Sequence, residues 1–147
     1  MLEDKPYISI FCFTETKVDC VNFIPRGLMT FNKQRVPKGG TLKGGGLTIG
    51  YIEDERIKMD EIETKSEDIL VIEGTVYNEK MRMILAYFNC SKELAGKRYQ
   101  ENRNMQEEIE ELMQVEEDTH LACLGDINGR LSTLEPNIKT DANGHYA

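Results

Sequence analysis

No apolar run in this chain of 147 residues approaches the ~20 consecutive residues that a helical membrane span requires. The opening Met1-Leu2-Glu3-Asp4-Lys5-Pro6 is acidic and lacks the basic region and apolar centre of a secretory signal. The expected setting is intracellular, nuclear or cytoplasmic. Cys-x-x-Cys pairs and His/Cys clusters are also missing. Cys12, Cys20, Cys90 and Cys123 are scattered, as are His120 and His145, so zinc and thiol-redox readings have no support and the cysteines read as small hydrophobes. His120 reads as a surface residue, and His145 in the tail receives no catalytic role. Gly44-Gly45-Gly46 is not followed by Gly-Lys-Ser/Thr, which excludes a P-loop. The run from Asp126 to Leu131 has glycine at its fourth position and Arg130 where an EF-hand ligand should stand. No Ser-His-Asp arrangement, low-complexity tract or internal repeat is visible.

What remains is enough chain for one core, read as a single domain over residues 1–147. The net charge of −8 disfavours a polyanion partner, but the charge is unevenly spread. Residues 20–52 hold Arg26, Lys33, Arg35, Lys38 and Lys43 and no acid, so this stretch carries +5 and the rest −13. Two readings of the stretch stay open, a solvated loop and a phosphate-facing one. Residues 101–118 hold eight carboxylates against Arg103 alone, as a solvated helix face does.

Tyr7–Phe13 (YISIFCF) is β-branched and aromatic and predicts a strand covered on both faces. Residues 19–43, punctuated by Pro25, Gly27, Pro37 and Gly39-Gly40, predict a long loop with room for short strands. Strands are expected at Leu47–Ile52, at Arg56–Ile62 (half exposed, by its alternation), at Ile69–Val76 and at Met81–Phe88. Tyr77-Asn78-Glu79-Lys80 would join the last two as a hairpin. Met105, Ile109, Leu112 and Met113 recur on one helical face within Ser91–Glu117, with the helix starting after Gly96. His120–Gly125 is the final strand, and a turn-rich tail follows. Strands, one helix and a strand in this order predict an α+β or layered α/β arrangement.

Two strand ends carry the chemistry. Glu15 follows the first strand directly, and Asp126 and Asn128 follow the last one. Each has a plain alternative: Glu15 as a solvated loop acid, and Asp-x-Asn-Gly as a turn. The functional reading is a divalent-cation site. Mg²⁺ takes oxygen ligands and needs only one or two carboxylates beside waters and phosphate oxygens. Glu15 would ligate the metal, Asp126 would accept a water's proton and Asn128 would hold a phosphoryl oxygen. Tyr87 and Asn89, leaving the strand before the helix, are further hydrogen-bonding candidates, with Tyr87 also readable as a half-buried strand aromatic.

Taken in order, ISIFCFTETK (8–17), GGGLTIGY (44–51), MILAYFNCS (83–91) and LACLGDINGR (121–130) resemble the endonuclease/exonuclease/phosphatase superfamily. The likeness is strongest to the endonuclease domain carried by non-LTR retrotransposon reverse transcriptases, with Ile127 in place of that motif's phenylalanine. The tail LEPNIKTDANG (134–144) adds to it. The resemblance implies a four-layered α/β sandwich of the DNase I-like type, hydrolysing DNA phosphodiesters with Mg²⁺ or Mn²⁺. Glu15 matches the metal-binding glutamate, Asp126 and Asn128 the pair that positions water and phosphate, and Tyr87 a tyrosine near the scissile phosphate. Asn89 departs from the proline usual at its position. The family's first strand, with its asparagine, and its Ser-x-x-Asp-His region find no match. The expectation is therefore a domain truncated at both ends, weak or inactive alone and with open sheet edges. A phosphatase or RNA nuclease of the same superfamily, and a non-catalytic interaction module using the acidic helix, are the alternatives.

Overall fold

The run Ile69-Leu70-Val71-Ile72 is apolar at every position, and all four side chains are fully buried. A strand points successive side chains to opposite faces, so such a run needs cover on both sides. The computed structural model, which describes residues 10–16, 26–34, 46–88 and 95–127 (backbone only for 95–99), shows what supplies it.

Seven strands and one helix make up the described residues: β1 (Ile10–Thr14), β2 (Leu28–Lys33), β3 (Leu47–Ile52), β4 (Ile57–Ile62), β5 (Ile69–Val76), β6 (Glu79–Tyr87), α1 (Ala95–Leu112) and β7 (Thr119–Asp126). One sheet has the order β1-β3-β2 and the other β4-β5-β6-β7; every pairing is antiparallel except β6–β7. Leu70 and Ile72 face the first sheet, packing with Leu47, Ile49 and Tyr51 of β3 and with Met83, Leu85 and Tyr87 of β6. Ile69 and Val71 face the other way, with Ile84 and Ala86, against Met105 and Ile109 of α1. Each such burial is worth about 1.5–3 kcal/mol. The layers are thus sheet, sheet and helix.

This overturns the expected four-layered α/β sandwich. Among the described residues the architecture is β-rich, and its single helix covers one face of one sheet. The outer face of the first sheet carries no helix there, and Phe13 on it is 56% exposed. The physical reason lies in the periodicities: only one stretch repeats apolar residues at helical spacing, while the others alternate or run as strands. The expectation that the first strand is covered on both faces falls with it. Among the described residues β7 ends the second sheet, and Leu124 on it is 47% exposed.

Strands at 47–52 and 69–76 stand where expected, and β4 alternates buried and exposed residues as its pattern requires. β2 fills part of the expected long loop. The hairpin turn is tighter than expected. Tyr77 and Asn78 alone form it, both at positive φ (51° and 66°), the geometry whose twist matches that of the flanking strands. Helix α1 begins at Ala95, before Gly96, and ends at Leu112, short of Glu117. It has no basic residue in its last turn. Arg82 of β6 supplies one from outside, donating to the carbonyls of Leu112 (2.8 Å) and Gln114 (3.3 Å) while pairing with Glu73 across the β5–β6 ladder. A cation here answers both the orphan carbonyls and the negative end of the helix dipole.

At the hairpin end, Arg56 grips Asp54 through its Nε (2.9 Å) and Nη2 (2.6 Å) and lies 4.4 Å over the Tyr77 ring, while the Tyr77 hydroxyl donates to Asp54 (3.2 Å). The Arg56 hydrogen bonds hold the Asp54 carboxyl well below the usual carboxylate range. A depressed folded pKa contributes stability above the unfolded value and loses it as pH falls through the folded one. The melting temperature of Asp54→Asn should therefore lie below that of the wild type at neutral pH. The gap should narrow only as the pH drops beneath the ordinary value of 3.8. Parallel melting curves from pH 6 down to pH 2 would contradict this.

Candidate functional site

β1, β6 and β7 all finish at one end of the sandwich. β1 lies over β6 and β7, and the Tyr87 hydroxyl, at the last residue of β6, donates to the Glu15 carboxylate immediately after β1. Tyr87 is paired in the parallel ladder with Asp126, the last residue of β7. The ladder continues one step further, with the Phe88 N–H donating to the Asp126 carbonyl (2.9 Å). Ala122 packs into the core between the sheets, and two-residue alternation from it puts Asp126 on the same sheet face as Tyr87.

Each position has a local cause. Tyr87 is buried through its ring, which belongs to the inter-sheet core, so only its hydroxyl tip is left to hydrogen-bond at the rim. Its backbone is fixed as well, the N–H donating to the Asp68 carbonyl at 3.0 Å. Glu15 is exposed and adopts φ +55°, the left-handed region, which costs a non-glycine residue roughly 1–2 kcal/mol. Strained backbone of this kind collects at functional sites. The turn is closed by the Thr16 N–H donating to the Gly46 carbonyl (3.2 Å). Gly46 is the last of the three glycines, so the described part of that motif serves to receive the end of β1. Gly125 lets β7 approach β6 before Asp126: a Cβ there would lie 2.0 Å from the Ala86 carbonyl oxygen.

The structure therefore joins Glu15 to Tyr87 by a hydrogen bond and places Asp126 beside Tyr87 in register. Asn128 and Asn89 lie outside the described residues, as do Cys20, Cys90, Arg35, Lys38, Lys43 and His145. His120 lies on β7 near its start, at the opposite end, 3.5 Å from Glu79. Burial pushes the thiols of Cys12 and Cys123 up, away from the thiolate that nucleophilic catalysis needs. Among the described residues no three His, Cys, Asp or Glu side chains gather in one place. No helix among them is long and apolar enough to cross a membrane.

Sequence reasoning named Lys33 only as one charge of the basic stretch and missed Glu108, and both contribute to this end of the molecule. Lys33 closes β2 and donates through Nζ to the Thr64 hydroxyl in the β4–β5 connection. Glu108 on α1 is buried and accepts the backbone N–H groups of Lys65 (2.6 Å) and Ser66 (3.1 Å) in the same connection. The signal for Lys33 was the alternation in LMTFNK, hidden by the turn residues around it. Glu108 carried none, because it stood among other glutamates.

The chain was compared with known protein families, with curated proteins and with solved structures, and none of them matches it.

Proposed function

We propose that this chain acts on phosphodiesters with a divalent cation, on DNA by preference, from the corner formed by Glu15, Tyr87 and Asp126. One observation carries the reading: the hydrogen bond between Tyr87 and Glu15, residues 72 apart in the chain and singled out independently by their motifs. Its companion is the pairing of Tyr87 with Asp126. The donor set suits Mg²⁺ or Mn²⁺. Glu15 and Asp126 are exposed oxygen-bearing side chains at one rim, and a hard cation that keeps several waters asks for no more than one or two carboxylates. Glu15 would hold it, with Tyr87 orienting the carboxylate. When bound, the ion polarises a phosphoryl oxygen and lowers the pKa of water.

The chain's own contributions are a proton acceptor at Asp126 and a hydroxyl at Tyr87 able to meet a phosphate oxygen. Among the described residues no histidine stands at this corner. Loss of one transition-state stabiliser typically costs ~10²–10³-fold, so low activity is the expectation for this chain by itself. Mg²⁺ titration followed by calorimetry or NMR should give weak binding, lowered further by Glu15→Gln. Plasmid nicking should be slow and require both Glu15 and Asp126. Nicking that survives Glu15→Gln and Asp126→Asn unchanged would remove the hydrolase reading.

A further inference from the structure

Lys33 presents an unusual electrostatic arrangement. It is half-buried, on the inward-facing alternation of β2 that packs Phe31 against the core. Its ammonium is met by the Thr64 hydroxyl and, among the described residues, by no carboxylate. Thr64 is itself held, its hydroxyl lying 2.8 Å from the Ile69 carbonyl and 3.1 Å from that of Ser66. A partly desolvated cation answered only by a neutral group is costly unless an anion completes it. The chain has a surplus of acids, many of them exposed, yet none of those described is used here.

Register relates the two strand ends that carry this cation and Glu15. Thr14 and Lys33 are both paired with Leu47, from opposite sides of β3, so their backbones lie two strand spacings apart, about 10 Å. Leu47 between them is 1% exposed and offers no polar group. We propose that Lys33, seated on Thr64, is a second phosphate subsite, holding a neighbouring phosphate of the nucleic-acid strand whose scissile phosphate meets Glu15, Tyr87 and Asp126. The inference rests on the phosphodiesterase reading and adds a substrate requirement to it. The ligand is a chain of phosphates rather than a single phosphoester, with neighbouring phosphates at two strand ends whose backbones lie about 10 Å apart.

The test is fluorescence anisotropy with labelled single-stranded DNA, a dinucleotide and an oligomer of about ten nucleotides, in Ca²⁺, an oxygen-binding cation that replaces Mg²⁺ so that the Glu15 corner can hold a phosphate while cleavage is suppressed. Lys33→Gln should weaken oligomer binding about 3–10-fold at low salt and lower the slope of log affinity against log salt by about 0.7, the share of one phosphate contact on a single strand. Lys33→Arg should retain the slope. The dinucleotide should bind the wild type and Lys33→Gln alike. Thr64→Val should weaken oligomer binding less than Lys33→Gln does, and an unchanged melting temperature for Lys33→Gln excludes a folding defect. Wild-type and Lys33→Gln isotherms that superimpose, an equal loss on the dinucleotide, or no oligomer binding by the wild type would each overturn the subsite. Failure of the underlying reading shows separately, as nicking indifferent to Glu15→Gln and Asp126→Asn while the Lys33-dependent salt slope persists.

Discussion

Replacing Gly125 by alanine is expected to lower stability by about 3 kcal/mol, from strain and overpacking together. The new Cβ would lie 2.0 Å from the Ala86 carbonyl oxygen and 2.9 Å from its carbon, backbone atoms that cannot swing aside. The φ of +152° adds a conformation that side-chain-bearing residues rarely adopt. Two other glycines separate these effects. Gly27, at φ +79° with nothing within 4 Å of where a methyl group would stand, exposes conformational strain alone, and its alanine variant should lose only about 1–2 kcal/mol. Gly74 would meet the Lys58 carbonyl oxygen at 1.9 Å, so its alanine variant disturbs β4–β5 and leaves β7 in place. Urea unfolding ranks the three. On the proposed reading Asp126 is the proton acceptor, so the Gly125 variant should also slow plasmid nicking, and Gly27→Ala should not. Equal stability losses at positions 27 and 125 would show that the approach of β7 to Ala86 is looser than described.

The second large effect is expected at Glu108. Its carboxylate satisfies two backbone donors, Lys65 and Ser66, and so fastens α1 to the β4–β5 connection. Glu108→Ala leaves both N–H groups without that acceptor, at a cost of about 2–4 kcal/mol. Glu108→Gln keeps one good acceptor and should lose about half as much. Hydrogen exchange gives the direct readout: the amides of Lys65 and Ser66 should exchange much faster in Glu108→Ala, and those of Leu70 and Ile84 less so. Protection at 65 and 66 that is unchanged in the variant would mean that something other than Glu108 holds the connection. The connection also contains Thr64, which seats Lys33, and Asp68, whose carbonyl accepts the Tyr87 N–H. Glu108 therefore positions the rim of the candidate site from the far side of the second sheet.

Much of the strand plan was legible because its cause is local. The strand at Ile69–Val76 was legible from its apolar run, but cover on both faces, expected for Tyr7–Phe13, belongs to 69–72, with a sheet on one side and a helix on the other. The alternation in Arg56–Ile62 showed a half-exposed strand, found at Ile57–Ile62. The helix end was not legible, since the cation that caps it comes from Arg82 on a neighbouring strand. The layer count failed for a related reason. Strand and helix periodicities report what each segment can bury, and a resemblance of short motifs does not report which outer faces receive a helix.

The same division runs through the candidate site. Residue patterns alone put Glu15 and Asp126 just after apolar strands and Tyr87 near the end of another, because a strand's end is written in the residues around it. That Tyr87 reaches Glu15, that Asp126 lines up beside Tyr87, and that Lys33 meets no acid among the described residues emerges from the packed sheets. The physical reason is that parallel pairing of β6 with β7 and the stacking of β1 across them are long-range choices. They are set by the shape of a shared core rather than by any segment's own pattern.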